Sequence, residues 1–174
     1  TLEADHVLNR DFTELCVRGG KAYGLSELPE RQLGRLLEDP DELLWRNLHR
    51  PVKIGHGTLM VEAELALVGG SVHVAYKRYR PRNWWKSLCW LFRRSRARRA
   101  WQLGHALLKR QIATARPLAM CEFRRFWLGR TSYLATEWIE AAENLHLASW
   151  QWADRPSDQR LRWAAGCAES LGRL

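Results

Sequence analysis

The sequence predicts an α+β fold on three observations. Two stretches, Phe12 to Leu25 and Val52 to Lys77, alternate apolar and polar residues around glycine turns, the signature of β-hairpins. Leucines recur at helical spacing between these stretches and again after Trp101. A further strand pair is read between Arg116 and Thr136.

In the first hairpin, Thr13 to Arg18 faces Lys21 to Leu25 across Gly19-Gly20, where glycine tolerates positive φ. Ser26 or Pro29 then starts a helix, Leu33, Leu36 and Leu37 give it an apolar stripe, and Asp39-Pro40 ends it. Asp41 to Trp45 reads as one more turn. From Val52 the period becomes that of strands. Val61, Ala63, Leu65 and Leu67 alternate with Glu62, Glu64 and Ala66, and Gly69-Gly70 turns the chain into Val72 to Lys77. Ala75 and Lys77 therefore share a face, where a small side chain leaves room for a flat base and the lysine reaches past it.

Trp101, Leu103, Leu107 and Leu108 predict a helix ending near Arg110, with cations at its C-terminus to suit the helix dipole. Arg116 to Met120 begins a strand, Gly129-Arg130 turns it, and Tyr133 to Thr136 is the next. Trp138 to Asn144 is a connector. Leu161 to Leu174 reads as a helix with Leu161, Ala164, Ala165, Ala168, Leu171 and Leu174 on or near one face.

Lys and Arg outnumber Asp and Glu by 28 to 19, and the excess is local. Between Glu64 and Glu122 there are thirteen Lys and Arg and no acidic residue, so this segment must face phosphates, anionic lipid or solvent. Cys16, Cys89, Cys121 and Cys167 form no CxxC pair, which argues against a zinc site or a disulfide scaffold; Cys89 and Cys121 read as buried small residues. His56, His73 and His105 have no second metal ligand at a fixed offset. The apolar run from Trp84 to Phe92 is interrupted by Lys86 and is too short to cross a bilayer. For Trp84, Trp85, Trp90 and Phe92 amid basic clusters, packing ranks first and contact with an anionic membrane surface second. Nucleic acid ranks third, since aromatics and arginines suit base stacking but no RNA-binding motif accompanies them.

Tyr76-Lys77-Arg78-Tyr79-Arg80-Pro81, Ser95-Arg96-Ala97 before Trp101, Ala115-Arg116-Pro117-Leu118-Ala119 and Ser132-Tyr133-Leu134-Ala135-Thr136-Glu137 together resemble the lipopolysaccharide kinase (Kdo/WaaP-like) family. The likeness is firmest from Val52 to Asn144. It implies a protein-kinase-like N-lobe, an antiparallel sheet with one packed helix, over residues 51–140. A hairpin-and-helix extension at 1–50 precedes it, and the start of a C-lobe at 141–174 follows. In such a lobe Lys77 binds the α- and β-phosphates of ATP, and Gly55, His56, Gly57 and Thr58 form the turn over the phosphates. Thr136 backs the adenine pocket, and Glu137, Trp138 and Ile139 are the hinge whose backbone meets the adenine edge.

The implied reaction is phosphoryl transfer to a sugar hydroxyl of the lipopolysaccharide inner core or a similar glycolipid, at the cytoplasmic face of the inner membrane. Thr1 and the helical pattern still running at Leu174 read as a chain cut at both ends. The family's catalytic aspartate and its Mg2+ ligands are expected after Leu174, so no catalytic or metal residue is assigned here. A second departure is the helix itself. Kinases usually pair the strand lysine with a helix glutamate, yet Ala100 precedes Trp101 and no carboxylate follows in that helix. Glu62 or Glu64 is the expected substitute partner for Lys77. The rival reading is a catalytically inactive, pseudokinase-like module that binds a nucleotide or partner at a membrane.

Overall fold

The computed structural model describes residues 12–17, 19–49, 51–55, 57–80, 94–125, 129–140 and 155–172. The expectations for His56, Trp84, Trp85, Cys89, Trp90, Phe92 and the connector after Glu140 lie outside these residues.

Among the described residues the chain is mixed α/β, with seven strands and four helices. In order they are β1 (Phe12–Val17), β2 (Gly20–Leu25), α1 (Glu30–Glu38), α2 (Glu42–Arg46), β3 (Pro51–Gly55), β4 (Thr58–Leu67), β5 (Gly70–Tyr79), α3 (Arg96–Lys109), β6 (Pro117–Arg125), β7 (Gly129–Glu137) and α4 (Ser157–Gly172). All seven strands join one antiparallel sheet in the order β1-β2-β6-β7-β5-β4-β3. The first hairpin turns at Gly19, whose φ of 90° only glycine adopts without strain. It extends the sheet beyond β6, with Ala22 opposite Cys121.

Two boundaries differ from the sequence reading. Helix α3 starts at Arg96, five residues before Trp101, because the Ser95 hydroxyl caps it by accepting the Arg98 N–H at 3.0 Å. Gly129 and Arg130 begin β7, paired with Arg125 and Arg124, since the ladder continues through the glycine.

The helices divide the two faces of the sheet. Leu33, Leu36 and Leu37 of α1 and Leu44 of α2 join Val61, Ala63, Val74, Tyr76, Cys121 and Ala135 in one buried core. Each such leucine contributes roughly 1.5–3 kcal/mol of burial. The opposite face carries α3, which packs chiefly on β6 and β7. Gly104 permits that approach, since a Cβ there would sit 2.6 Å from the Pro117 Cγ. Phe12 closes over the helix, with ring centroids 5.4 Å from Trp101 and 4.9 Å from His105. Lys77 and Ala75 lie on this second face, on the strand beyond the two that carry α3. On α4, by contrast, Leu161 of the predicted apolar face is 71% exposed.

Candidate functional site

Strand β5 is held on both sides, by β4 and β7. Residues directly opposite one another in adjacent strands point to the same face. Ala75 thus stands between Glu62 and Thr136, Lys77 between Met60 and Leu134, and Tyr79 between Thr58 and Ser132. The register therefore brings Thr58, Ala75, Lys77 and Thr136 onto one face.

Lys77 is partly buried, and that burial lowers its pKa; the nearby Lys53 ammonium pushes it further in the same direction. Among the described residues it has no ion-pair partner. The expected partners are engaged elsewhere: His73 Nδ1 lies 3.3 Å from Glu62 Oε1 and His73 Nε2 lies 3.4 Å from Glu64 Oε1. This corrects the expectation that Glu62 or Glu64 serves Lys77. His73 sits directly across from Glu64, while Glu62 faces Ala75 and has His73 and Lys77 at equal distance along the ladder, yet its carboxylate turns to His73. A half-dry ammonium without a counter-charge is costly, and an anionic ligand relieves that cost.

The glycine turn is fixed at the same end of β5. Gly55 pairs with Thr58, and the Arg80 N–H donates to the Gly57 carbonyl at 3.0 Å. A Cβ at Gly57 would stand 3.1 Å from the Arg80 carbonyl, so the turn lies close against the strand end three residues beyond Lys77. Behind Ala75, Thr136 is 6% exposed and its Oγ1 has no hydrogen-bond partner among the described residues. Such a hydroxyl costs about 1–3 kcal/mol unless something reaches it.

The hinge expectation divides on inspection. The Glu137 N–H donates to the Arg116 carbonyl at 2.8 Å and the Trp138 N–H to the His73 carbonyl at 2.9 Å. Ile139, whose side chain is 51% exposed, is the one of the three whose N–H takes no partner among the described residues.

Two residues that sequence reasoning passed over belong to this region. Lys53 of β3 stands opposite Met60, in the same row as Lys77. Asp41, between α1 and α2, lies on the other face of β5: its Oδ1 accepts from Arg78 Nη1 at 2.9 Å and from the Tyr133 hydroxyl at 3.0 Å. The Tyr76 hydroxyl donates to the neighbouring Pro40 carbonyl at 2.9 Å. Only the period-two placement of Arg78 and Tyr76 away from Lys77 hinted at this second set of contacts. Among the described residues no three His, Cys, Asp or Glu side chains converge on a common point, and no helix is long and apolar enough to cross a membrane.

A sequence model of the Lipopolysaccharide kinase (Kdo/WaaP) family matches residues 45–169. The chain belongs to that family. The Kdo/WaaP match runs from Trp45 in α2 to Glu169 in α4, so it takes in the glycine turn, Lys77 and Thr136 and leaves the first hairpin and α1 outside. Among solved structures the chain is similar to "WaaP in complex with acyl carrier protein", at 21% identity and a TM-score of 0.43. That match covers 68% of this chain and 42% of the other, so the chain spans less than half the length of that relative. A search of curated proteins finds no match.

Proposed function

We propose that this chain holds ATP for a kinase that transfers the γ-phosphoryl group to a sugar hydroxyl of the lipopolysaccharide inner core or a similar glycolipid. One observation carries the reading: Lys77 is half-dry and unpaired among the described residues, beside a small Ala75 and on the same face as the orphan hydroxyl of Thr136. Lys77 binds the α- and β-phosphates, and Gly55 to Thr58 cover them with backbone N–H groups. Ala75 leaves space for the adenine, Thr136 bounds it from behind, and the Ile139 N–H donates to its edge; Glu137 and Trp138 contribute carbonyls. A bound Mg2+ would neutralise charge between the phosphates, but the described residues present no carboxylate set for it, so the phosphate contact rests on Lys77. The base that takes the acceptor's proton is not assigned to any residue here. The protein works peripherally at the cytoplasmic face of the inner membrane, with Trp84, Trp85, Trp90 and Phe92 as the membrane contact.

Lys77→Met tests the reading. ATP affinity, measured by calorimetry, falls at least tenfold, while the thermal midpoint holds or rises because a desolvated cation has been removed. An unchanged affinity sinks it. A second reading, a nucleotide-binding protein without transfer activity, is favoured by the absence of any carboxylate from α3, Arg96–Lys109. Incubation with γ-labelled ATP and lipopolysaccharide core separates the two: label reaches the sugar only if the protein is a kinase.

A further inference from the structure

We propose that Lys53 is a second phosphate-binding cation, which with Lys77 grips the oligophosphate chain of one nucleotide across Met60. The inference rests on the nucleotide reading above and goes beyond it in naming a residue on a different strand, next to the glycine turn.

The register makes the case. Lys53 pairs with Met60 and Met60 pairs with Lys77, so the three side chains form one cross-strand row on a single face. With neighbouring strands about 4.8 Å apart, the two lysine Cα atoms are about 10 Å apart, and two flexible four-carbon arms span a di- or triphosphate from that separation. The hairpin turn sets this alignment: the register runs unbroken from Gly55 and Thr58 through Ile54 and Leu59 to Lys53 and Met60, and the irregularity lies beyond it, towards Pro51. The repulsion that Lys53 exerts on Lys77 indicates that the two ammonium groups stand near one another.

Neither lysine has an ion-pair partner among the described residues, and the two carboxylates on the same face of β4, Glu62 and Glu64, lie against His73. Two like charges held together with the local carboxylates turned away form a site for a multiply charged anion. The plain alternative is that Lys53, on the exposed edge strand β3, merely discourages pairing with other sheets. That role needs a lysine somewhere on the strand; it does not need one in the row of Lys77. Lys53 is also two residues from Gly55, whose turn the Arg80–Gly57 hydrogen bond holds against β5, so its backbone lies beside the proposed phosphate path.

Calorimetric binding of ATP, tripolyphosphate and adenosine to the unmodified protein, Lys53→Met, Lys53→Arg and Lys77→Met tests this. Lys53→Met should weaken ATP and tripolyphosphate about tenfold and leave adenosine unchanged, and Lys53→Arg should retain most of the affinity. The salt dependence of ATP binding should also become shallower in Lys53→Met. If Lys77→Met loses ATP while Lys53→Met binds it like the unmodified protein, this inference fails and the nucleotide reading stands. Equal loss of ATP and adenosine in Lys53→Met overturns it too, because a general disturbance of the pocket would then explain the effect. If the unmodified protein binds none of the three probes, the nucleotide reading itself fails and takes this inference with it.

Discussion

Asp41 and Arg78 form an ion pair at 2.9 Å on the face of β5 opposite Lys77. The Arg78 side chain is only 12% exposed, and Tyr133 donates to the same carboxylate oxygen, so the acid between α1 and α2 is tied to both β5 and β7. Arg78 is the residue directly after Lys77, which makes this contact the nearest fixed point for the lysine strand.

Asp41→Ala is therefore expected to destabilise the fold by about 2 kcal/mol, because it leaves a mostly buried guanidinium and a tyrosine hydroxyl without their acceptor. Tyr133→Phe removes one donor only and is expected to cost about 1 kcal/mol. Urea unfolding midpoints measure both, and equal midpoints for Asp41→Ala and the unmodified protein would show that Asp41 anchors nothing.

Gly104→Ala is expected to destabilise by about 1–3 kcal/mol, since the new methyl would collide with the Pro117 ring at the contact between α3 and β6. Gly166→Ala on α4, where nothing lies within 4 Å of the added atom, is the control and is expected to be neutral or slightly stabilising. Thermal midpoints of the two variants should part in that order.

His105 gives a pH dependence with a definite sign. Burial pushes its pKa down to about 4, and the Arg116 and Lys109 charges add to the shift. The folded state disfavours the protonated ring, so the unfolded chain takes up the proton first as pH falls. Stability from this group is full above the ordinary histidine value of about 6.5 and is lost progressively as pH falls towards about 4. His105→Phe should flatten the decline in urea midpoint between about pH 7.5 and about pH 5. A decline equally steep in the variant would assign the effect to other groups.

Thr136→Val replaces a hydroxyl that lacks a partner with a methyl of the same shape. Stability is expected to be unchanged or to rise by up to about 1 kcal/mol, as the desolvation of an unmet polar group disappears. A loss of more than that by thermal unfolding would mean the hydroxyl has a partner.

Much of this was legible in the chain. The alternation of Val61, Ala63 and Leu65 gave β4 its buried face, Leu33, Leu36 and Leu37 gave α1 its stripe, and period two put Ala75 and Lys77 together. The first turn of α3 carries no apolar period, because Arg96, Arg98 and Arg99 fill it, and only Ser95, as its cap, marks the start in the sequence. Lys53 escapes a reading of single strands for a different reason: its place beside Met60 follows from how the chain pairs back from the Gly55–Thr58 turn, which no pattern within β3 shows. The engagement of Glu62 and Glu64 with His73 likewise depends on cross-strand pairing, in which His73 faces Glu64 and lies diagonal to Glu62, a relation that no single strand contains.

The close seat of α3 against Pro117, with Phe12 and Trp101 stacked edge to face on its flank, has a bearing on control. A helix so wedged cannot pivot outwards without parting a ring contact made by the N-terminal hairpin. Any outward rotation of this helix would therefore first require Phe12 of β1 to part from Trp101.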